Sequence, residues 1–170
     1  MRVDGAVVSK AGALVGHDAE ITITGDESAY VSRAALKLVA ALDAFGFDPA
    51  GRVALDVGAS TGGFTQVLLA RGASRVYAVD VGRAQLHESL AADPRVVRLE
   101  QRDARSLSPA DVPEPVRAIT VDVSFISLRL VLPDVLIFGA RDAWLVALIK
   151  PQFEVGRAHV GKGGVVTDAA

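Results

Sequence analysis

RVALDVGASTGGFT, residues 52–65, runs from an apolar strand pattern through a glycine turn into a helix pattern that lasts to Arg71 and Gly72. Gly58 allows the sharp turn, while Gly62 and Gly63 let a ligand or a neighbouring backbone come close where a Cβ would intrude. The same order of elements returns downstream: SRVYAVDV (74–81), a helix over RAQLHESLAAD (83–93) ended by Pro94, RVVRLE (95–100), AITVDVSF (118–125) and AWLVALIK (143–150). Five short β-branched runs alternating with helical segments predict an α/β fold, a doubly wound, mostly parallel sheet of the Rossmann-like type. Such sheets bind ligands beyond the carboxyl ends of their strands, so the residues just after each run are the functional candidates.

Upstream, residues 1–24 alternate loosely, with turn signals at Asp4-Gly5 and Gly12. That pattern suits short strands and a hairpin but is too little to fold alone. GDES (25–28) opens a linker over 25–30, and 31–170 is read as the main domain. It starts with a helix, SRAALKLVAALDAFG (32–46), with Ser32 as N-cap, Leu38, Leu42 and Phe45 on one face, Lys37 in the second turn and Gly46 as the stop.

Composition narrows the chemistry. Half-hydrophobic content (51%) over 170 residues supports one real core, and a net charge of -2 argues against general coating of nucleic acid, leaving room only for a local basic patch. With no cysteine, and with His17, His87 and His159 lacking ligand-like spacing, no metal is expected. The start, MRVDGAVVSK, lacks the apolar core of a signal peptide, and charges interrupt every apolar run before the roughly 18 residues a bilayer demands, so a soluble, cytoplasmic protein without membrane partners is expected. Arginines outnumber lysines 14 to 4, which makes Lys10, Lys37, Lys150 and Lys162 worth locating.

The turn DVGASTGGFT (56–65) departs from the G-x-G-x-x-G of dinucleotide enzymes. It resembles motif I of S-adenosylmethionine-dependent methyltransferases, in which an acid precedes the glycine turn and no pyrophosphate is cradled. On that resemblance Asp56, Gly58, Ala59, Ser60, Gly62, Gly63 and Phe64 are candidate cofactor contacts. Asp80 ends the second strand, about 20 residues on, where a carboxylate can accept hydrogen bonds from ribose hydroxyls. Asp103 follows the third strand, where that superfamily usually meets the adenine amine. Each could also be an ordinary turn aspartate; three acids after three successive strands favour a site.

VDVSFIS (121–127) puts Asp122 at the end of the fourth strand between valines expected to be buried, so it must be paired. Lys150 ends the adjacent fifth strand, next to Pro151. The pair could be a structural salt bridge or part of a catalytic set, with Asp122 orienting Lys150 and a second cation, Lys37, around a hydroxyl that must lose its proton.

The order YVSR-x-x-LKL, LDVGASTGGFT, VYAVDV, VDVSFISL and KPQFE-x-GR-x-x-VGKGGVV resembles the TlyA or hemolysin A family, FtsJ-like ribosomal RNA methyltransferases acting on ribose 2′-hydroxyls. The resemblance runs from about Tyr30 to the last residue. It implies S-adenosylmethionine as cofactor, ribosomal RNA or ribosomal subunits as partner, a cytidine ribose as target, and Lys37, Asp122 and Lys150 as three of a Lys, Asp, Lys, Glu catalytic set. Asp122 is also counted among the cofactor contacts. The fourth member lies near the end of a longer chain in the family. Arg33, Arg157 and Lys162 are the implied RNA phosphate contacts, and VDGAVVSKAG (3–12) resembles the closing hairpin of the S-four-type RNA-binding module preceding this domain. The family's two basic helices before that hairpin and its last two strands have no counterpart here, so a fragment lacking both ends is expected. Ala34 and Ala35 replace glycines beside the first catalytic lysine. The alternatives are a catalytically inactive RNA-binding or ribosome-associated module and, from the family's second name, a hemolysin, which the absence of a spanning or strongly amphipathic basic segment disfavours.

Overall fold

A computed structural model describes residues 2–8, 12–22, 29–161 and 163–166. Strands β1 (Arg2–Val3), β2 (Ala6–Val7) and β3 (Ile21–Thr22) form a small antiparallel sheet in the order β2-β1-β3. The Asp4-Gly5 turn works as its sequence suggests, with positive φ at both residues (49° and 80°). The side chain of Asp4 accepts the Glu20 N–H at 2.9 Å and ties the third strand in.

The main sheet has five parallel strands in the order β6-β5-β4-β7-β8: β4 (Val53–Val57), β5 (Arg75–Asp80), β6 (Val96–Glu100), β7 (Val116–Val121) and β8 (Gly139–Ala147). The chain starts in the middle at β4, builds outward to β6, then crosses back to β7. The switch point therefore lies between β4 and β7.

Strand alternation decides the two faces. Ala54, Val76, Ala118 and Trp144 pack with α1 (Ala35–Phe45) and α2 (Gly63–Ala70) through Leu38, Leu42, Val67 and Leu68. Leu55, Val57, Tyr77, Val79, Ile119 and Val121 pack on the other side with Val131 and Val135 of α4 (Leu128–Leu136). A shift of one residue in any strand would swap these faces, so the apolar pattern fixes the register. Each fully buried Leu or Ile contributes about 1.5–3 kcal/mol.

Five local expectations need correction. The helix expected over 83–93 shrinks to α3 (Glu88–Ala91), because the Glu100 carboxylate accepts the backbone N–H groups of Ala84, Gln85 and Leu86 at 2.8–3.0 Å and holds that stretch open. Ser32 does not cap α1: the helix begins at Ala35 with Ala34 at the N-cap and no side-chain cap, while Ser32 Oγ accepts the Ala34 N–H in the turn before it. Lys37 thus lies in the first turn. Phe45 is exposed rather than on the buried face with Leu38 and Leu42; Gly46, left-handed at φ 67°, ends the helix as expected. Finally, β8 stops at Ala147, three residues before Lys150, and Pro151 opens the short helix α5 (Pro151–Glu154) at its first position. Among the described residues no helix is long and apolar enough to cross a membrane.

Candidate active site

The exits of β4, β5, β6 and β7 surround a cavity of about 430 Å³. Val57, Gly58 and Ser60 line it from the glycine turn, Val79, Asp80 and Val81 from the end of β5, and Arg102 to Arg105 from the loop after β6. Asp122 to Ile126 and Val131 close the far wall. A second cavity of about 190 Å³ lies beside it, lined by Ser32, Ala34, Ala59, Thr61, Gly63, Phe64 and Lys150. Gly58, Ser60, Asp122 and Ser124 border both.

Gly58 is required at this junction. Its φ is +81°, and a Cβ there would stand 2.7 Å from the carbonyl oxygen of Asp122 on the neighbouring strand exit. Gly62 and Gly63 make room for neighbouring chain, Gly63 also lining the smaller cavity: a Cβ on Gly62 would enter the side chains of Leu86 and Leu90, and one on Gly63 would meet Ser32 Oγ at 2.7 Å. Ala59 and Phe64 are buried behind the turn.

The amides of this turn are mostly engaged internally. Gly58 N and Ala59 N donate to Val79 O, Gly62 N donates to Ala59 O, and Ser60 N donates to Asp80 Oδ2 at 2.8 Å. Few N–H groups remain to cradle a phosphate, unlike a dinucleotide-binding turn. Asp80 also accepts the Gly82 N–H at 2.7 Å through its other oxygen, so both loops are held against the cavity by one carboxylate.

Asp56 does not reach the cavity. It is fully buried and accepts Thr65 Oγ1–H at 2.7 Å and Thr120 Oγ1–H at 2.9 Å, joining α2 to β7 beneath the turn. Burial pushes its carboxyl up to about 6 against the opposing pull of those two hydroxyl bonds. Its expected contact with a cofactor is thereby replaced by a supporting position, since the chain pairs it with inward threonines. Asp103 stays on the cavity wall, but its carboxylate is bidentate to Arg105 (2.6 Å to Nη2) and accepts the Arg105 N–H at 2.9 Å. The Arg105 guanidinium holds it below the usual carboxylate range.

The charged set at the switch point is compact. Asp122 Oδ2 accepts Lys37 Nζ–H at 3.0 Å, and Oδ1 stands 2.6 Å from Lys150 Nζ. The latter contact is an ion pair rather than a directed bond: Oδ1 has no partner at hydrogen-bonding angles, while Lys150 Nζ donates at 2.8 Å to Ser124 Oγ. Burial works to raise the Asp122 carboxyl, but Lys150 and then Lys37 outweigh it and hold it below the ordinary range. The Asp122 side chain is 12% exposed and that of Lys37 is 49%, so the set has a sheltered side and an open side.

Three contributors escaped the sequence reading. Ser124, in a loop with no periodicity, takes the lysine bond. Glu100 organises the loop after β5. Gln66 donates to Ala29 O at 2.9 Å and accepts the Val31 N–H at 2.7 Å, fastening the approach to α1 onto α2. Only Glu100, a strand-end acid, carried a signal. Arg33 is exposed ahead of α1; Lys162 and the side chain of Arg157 lie outside the described residues.

Residues 30–170 match the model of the FtsJ-like methyltransferase family. The chain belongs to that family. It is 52% identical over 169 residues to the 16S/23S rRNA (cytidine-2′-O)-methyltransferase TlyA of Mycobacterium tuberculosis, covering 99% of this chain and 63% of that protein. It is 44% identical to Hemolysin A of Brachyspira hyodysenteriae, covering 82% of this chain and 58% of that protein. A solved structure of a hemolysin-named protein from Streptococcus thermophilus superposes with a TM-score of 0.80 at 44% identity, covering 88% of this chain and 55% of that one. The chain thus spans less than two thirds of the length of each curated relative named here.

Proposed function

We propose that this chain carries the catalytic domain for methyl transfer from S-adenosylmethionine to a ribose 2′-hydroxyl of ribosomal RNA, at a cytidine. The observation that carries the reading is the Lys37–Asp122–Lys150 set, centred on Asp122, which borders both cavities, with Lys150 lining the smaller one. The similarity to TlyA supports the substrate, and such a substrate is met in the cytoplasm.

The larger cavity suits the cofactor. Asp80 and Asp103 offer carboxylates to hydroxyl and amine groups, Val57, Val79, Ile126 and Val131 offer apolar walls, and the internally bonded turn disfavours a phosphate. S-adenosylmethionine bound there would supply an electrophilic methyl group. The chain's own residues do the rest. Asp122, held ionised by two cations, fixes both ammonium groups within 3.0 Å of its oxygens. The Nζ groups of Lys37 and Lys150 are the candidates to receive the proton of the ribose hydroxyl and to stabilise the developing alkoxide, with Asp122 orienting them. Ser124 keeps Lys150 directed to the smaller cavity. Arg33, Arg157 and Lys162 are assigned to RNA phosphates, and β1 to β3 to the end of an RNA-binding module.

The test is transfer of a labelled methyl group from S-adenosylmethionine to ribosomal RNA by the purified protein, with isothermal titration of the cofactor alongside. Activity lost in Lys150→Ala, with cofactor binding retained, is expected. RNA binding without any transfer would instead establish an inactive RNA-binding module.

A further inference from the structure

The loop between Asp122 and α4 is fastened at three points by a single turn of chain after β8. Lys150 Nζ donates to Ser124 Oγ at 2.8 Å. The ring of Phe153 lies 5.1 Å from that of Phe125, centroid to centroid. Glu154 then closes the far end: Oε2 accepts Ser127 Oγ–H at 2.6 Å, and Oε1 accepts the Leu128 N–H at 2.9 Å. Ser127 Oγ in turn accepts the Arg129 N–H at 3.1 Å, so the first amides of α4 are met by Ser127 and Glu154 together.

The loop needs such fastening. Phe125 has a φ of 65°, an unfavourable region for a bulky residue, and its side chain is 91% exposed, so its own burial cannot hold it there. A strained residue persists only where its surroundings over-determine it. On one side Asp122 N donates to Val57 O; on the other the restraint comes from Glu154.

We propose that Glu154 is a positioning residue: by bonding Ser127 and Leu128 it locks the loop after β7 to the turn after β8, so that Asp122, Ser124 and Lys150 keep their mutual geometry. It is not a stand-in for the glutamate that completes the family's catalytic set, because both its oxygens are engaged at the helix end. This rests on the methyl-transfer reading above, and it adds a requirement that the reading alone does not contain: a side chain at residue 154 long enough to bond Ser127 and Leu128 together, which charge alone does not supply.

The substitutions Glu154→Gln and Glu154→Asp separate the two. Gln keeps the length, with an oxygen for the Leu128 N–H and an amide that can donate to Ser127 Oγ; Asp keeps the charge but is one methylene short. Two readouts are measured on each purified variant and on Glu154→Ala: kcat for methyl transfer to ribosomal RNA at saturating cofactor, and hydrogen exchange of the Leu128 amide. Glu154→Gln is expected within about threefold of the parent in both. Glu154→Asp and Glu154→Ala are expected to lose at least tenfold in kcat and to exchange Leu128 at least tenfold faster, with Val131 unchanged. Unchanged Leu128 exchange in Glu154→Ala overturns the proposal, as does faster exchange with an undiminished kcat. So does a Glu154→Gln variant as slow as Glu154→Ala with Leu128 still protected, since charge would then be the essential property. If the parent itself transfers no methyl group, the functional reading fails separately, and the exchange arm alone decides the tether.

Discussion

Asp56 and Asp122 lie at the carboxyl ends of adjacent strands, β4 and β7, yet their surroundings are opposite. Asp56 is buried with two threonine hydroxyls and no cation, and its carboxyl is pushed up to about 6. Asp122 is partly sheltered between two ammonium groups and is held below the ordinary carboxylate range. The same side chain thus does two jobs on neighbouring strands. One carboxylate pins α2 to β7 and so shapes the glycine turn; the other keeps its charge and collects cations at the cavity wall.

The sharpest way to break this contrast is to remove charge from Asp122 alone. Asp122→Asn leaves the shape but gives the two lysines no counterion. We expect methyl transfer to fall by roughly 10²- to 10⁴-fold, with little change in the urea midpoint. A variant with near-parental transfer of labelled methyl to ribosomal RNA would reduce the Lys37–Asp122–Lys150 set to a structural ion pair.

Truncating the other carboxylate should do the reverse. Asp56→Ala strands the hydroxyls of Thr65 and Thr120 in the core and opens a void, costing about 2–4 kcal/mol of stability. Urea unfolding followed by fluorescence of Trp144, which stacks on Phe47 at 5.2 Å, measures it. A loss below about 1 kcal/mol would show that Asp56 does not brace the two elements. Between the two aspartates stands Gly58. Gly58→Ala demands a Cβ at a φ of +81° and 2.7 Å from Asp122 O, so the strand exits must part. A cost of about 1–3 kcal/mol is expected, together with weaker cofactor binding by titration calorimetry. Unchanged affinity would separate the turn from the cavity proposed for the cofactor.

The contrast also marks how far sequence reading reached. Strand identity was legible because parallel strands buried on both faces need continuous apolar, β-branched runs, and the acids and lysines after those runs came out on one side of the sheet. Asp122, Lys37 and Lys150 met because β7 leaves the sheet at the switch point beside α1. What the sequence does not display is which way a strand-end acid faces. Asp56 precedes the last residue of β4 and points into the layer with Thr65 and Thr120; Asp80 ends β5 and faces the loops; both look alike as letters. The helix expected over 83–93 failed for a non-local reason, since Glu100 lies 14 residues or more from the amides it binds. Ser124 and Glu154 were silent because a loop held by side chains has no periodicity to read.

The smallest effect tests the Asp56 side of the contrast by pH. Because its folded-state carboxyl is raised to about 6 from an unfolded value of 3.8, the folded protein binds the extra proton between those values. The stabilisation from this group is therefore complete below the unfolded value and is lost as pH rises through about 6. Asp122 contributes the other way, since its lowered carboxyl loses its ion pairs only as pH falls into its own acid range. Comparing the parent with Asp56→Asn cancels Asp122 and every other titrating group. On moving from pH 7 to pH 5 the parent should gain about 1 kcal/mol relative to that variant, read from paired urea titrations. A difference that stays flat over this interval, or that moves in the variant's favour, would mean that Asp56 is ionised in the core at pH 5, and that its two threonine bonds suffice to hold a buried charge without a cation.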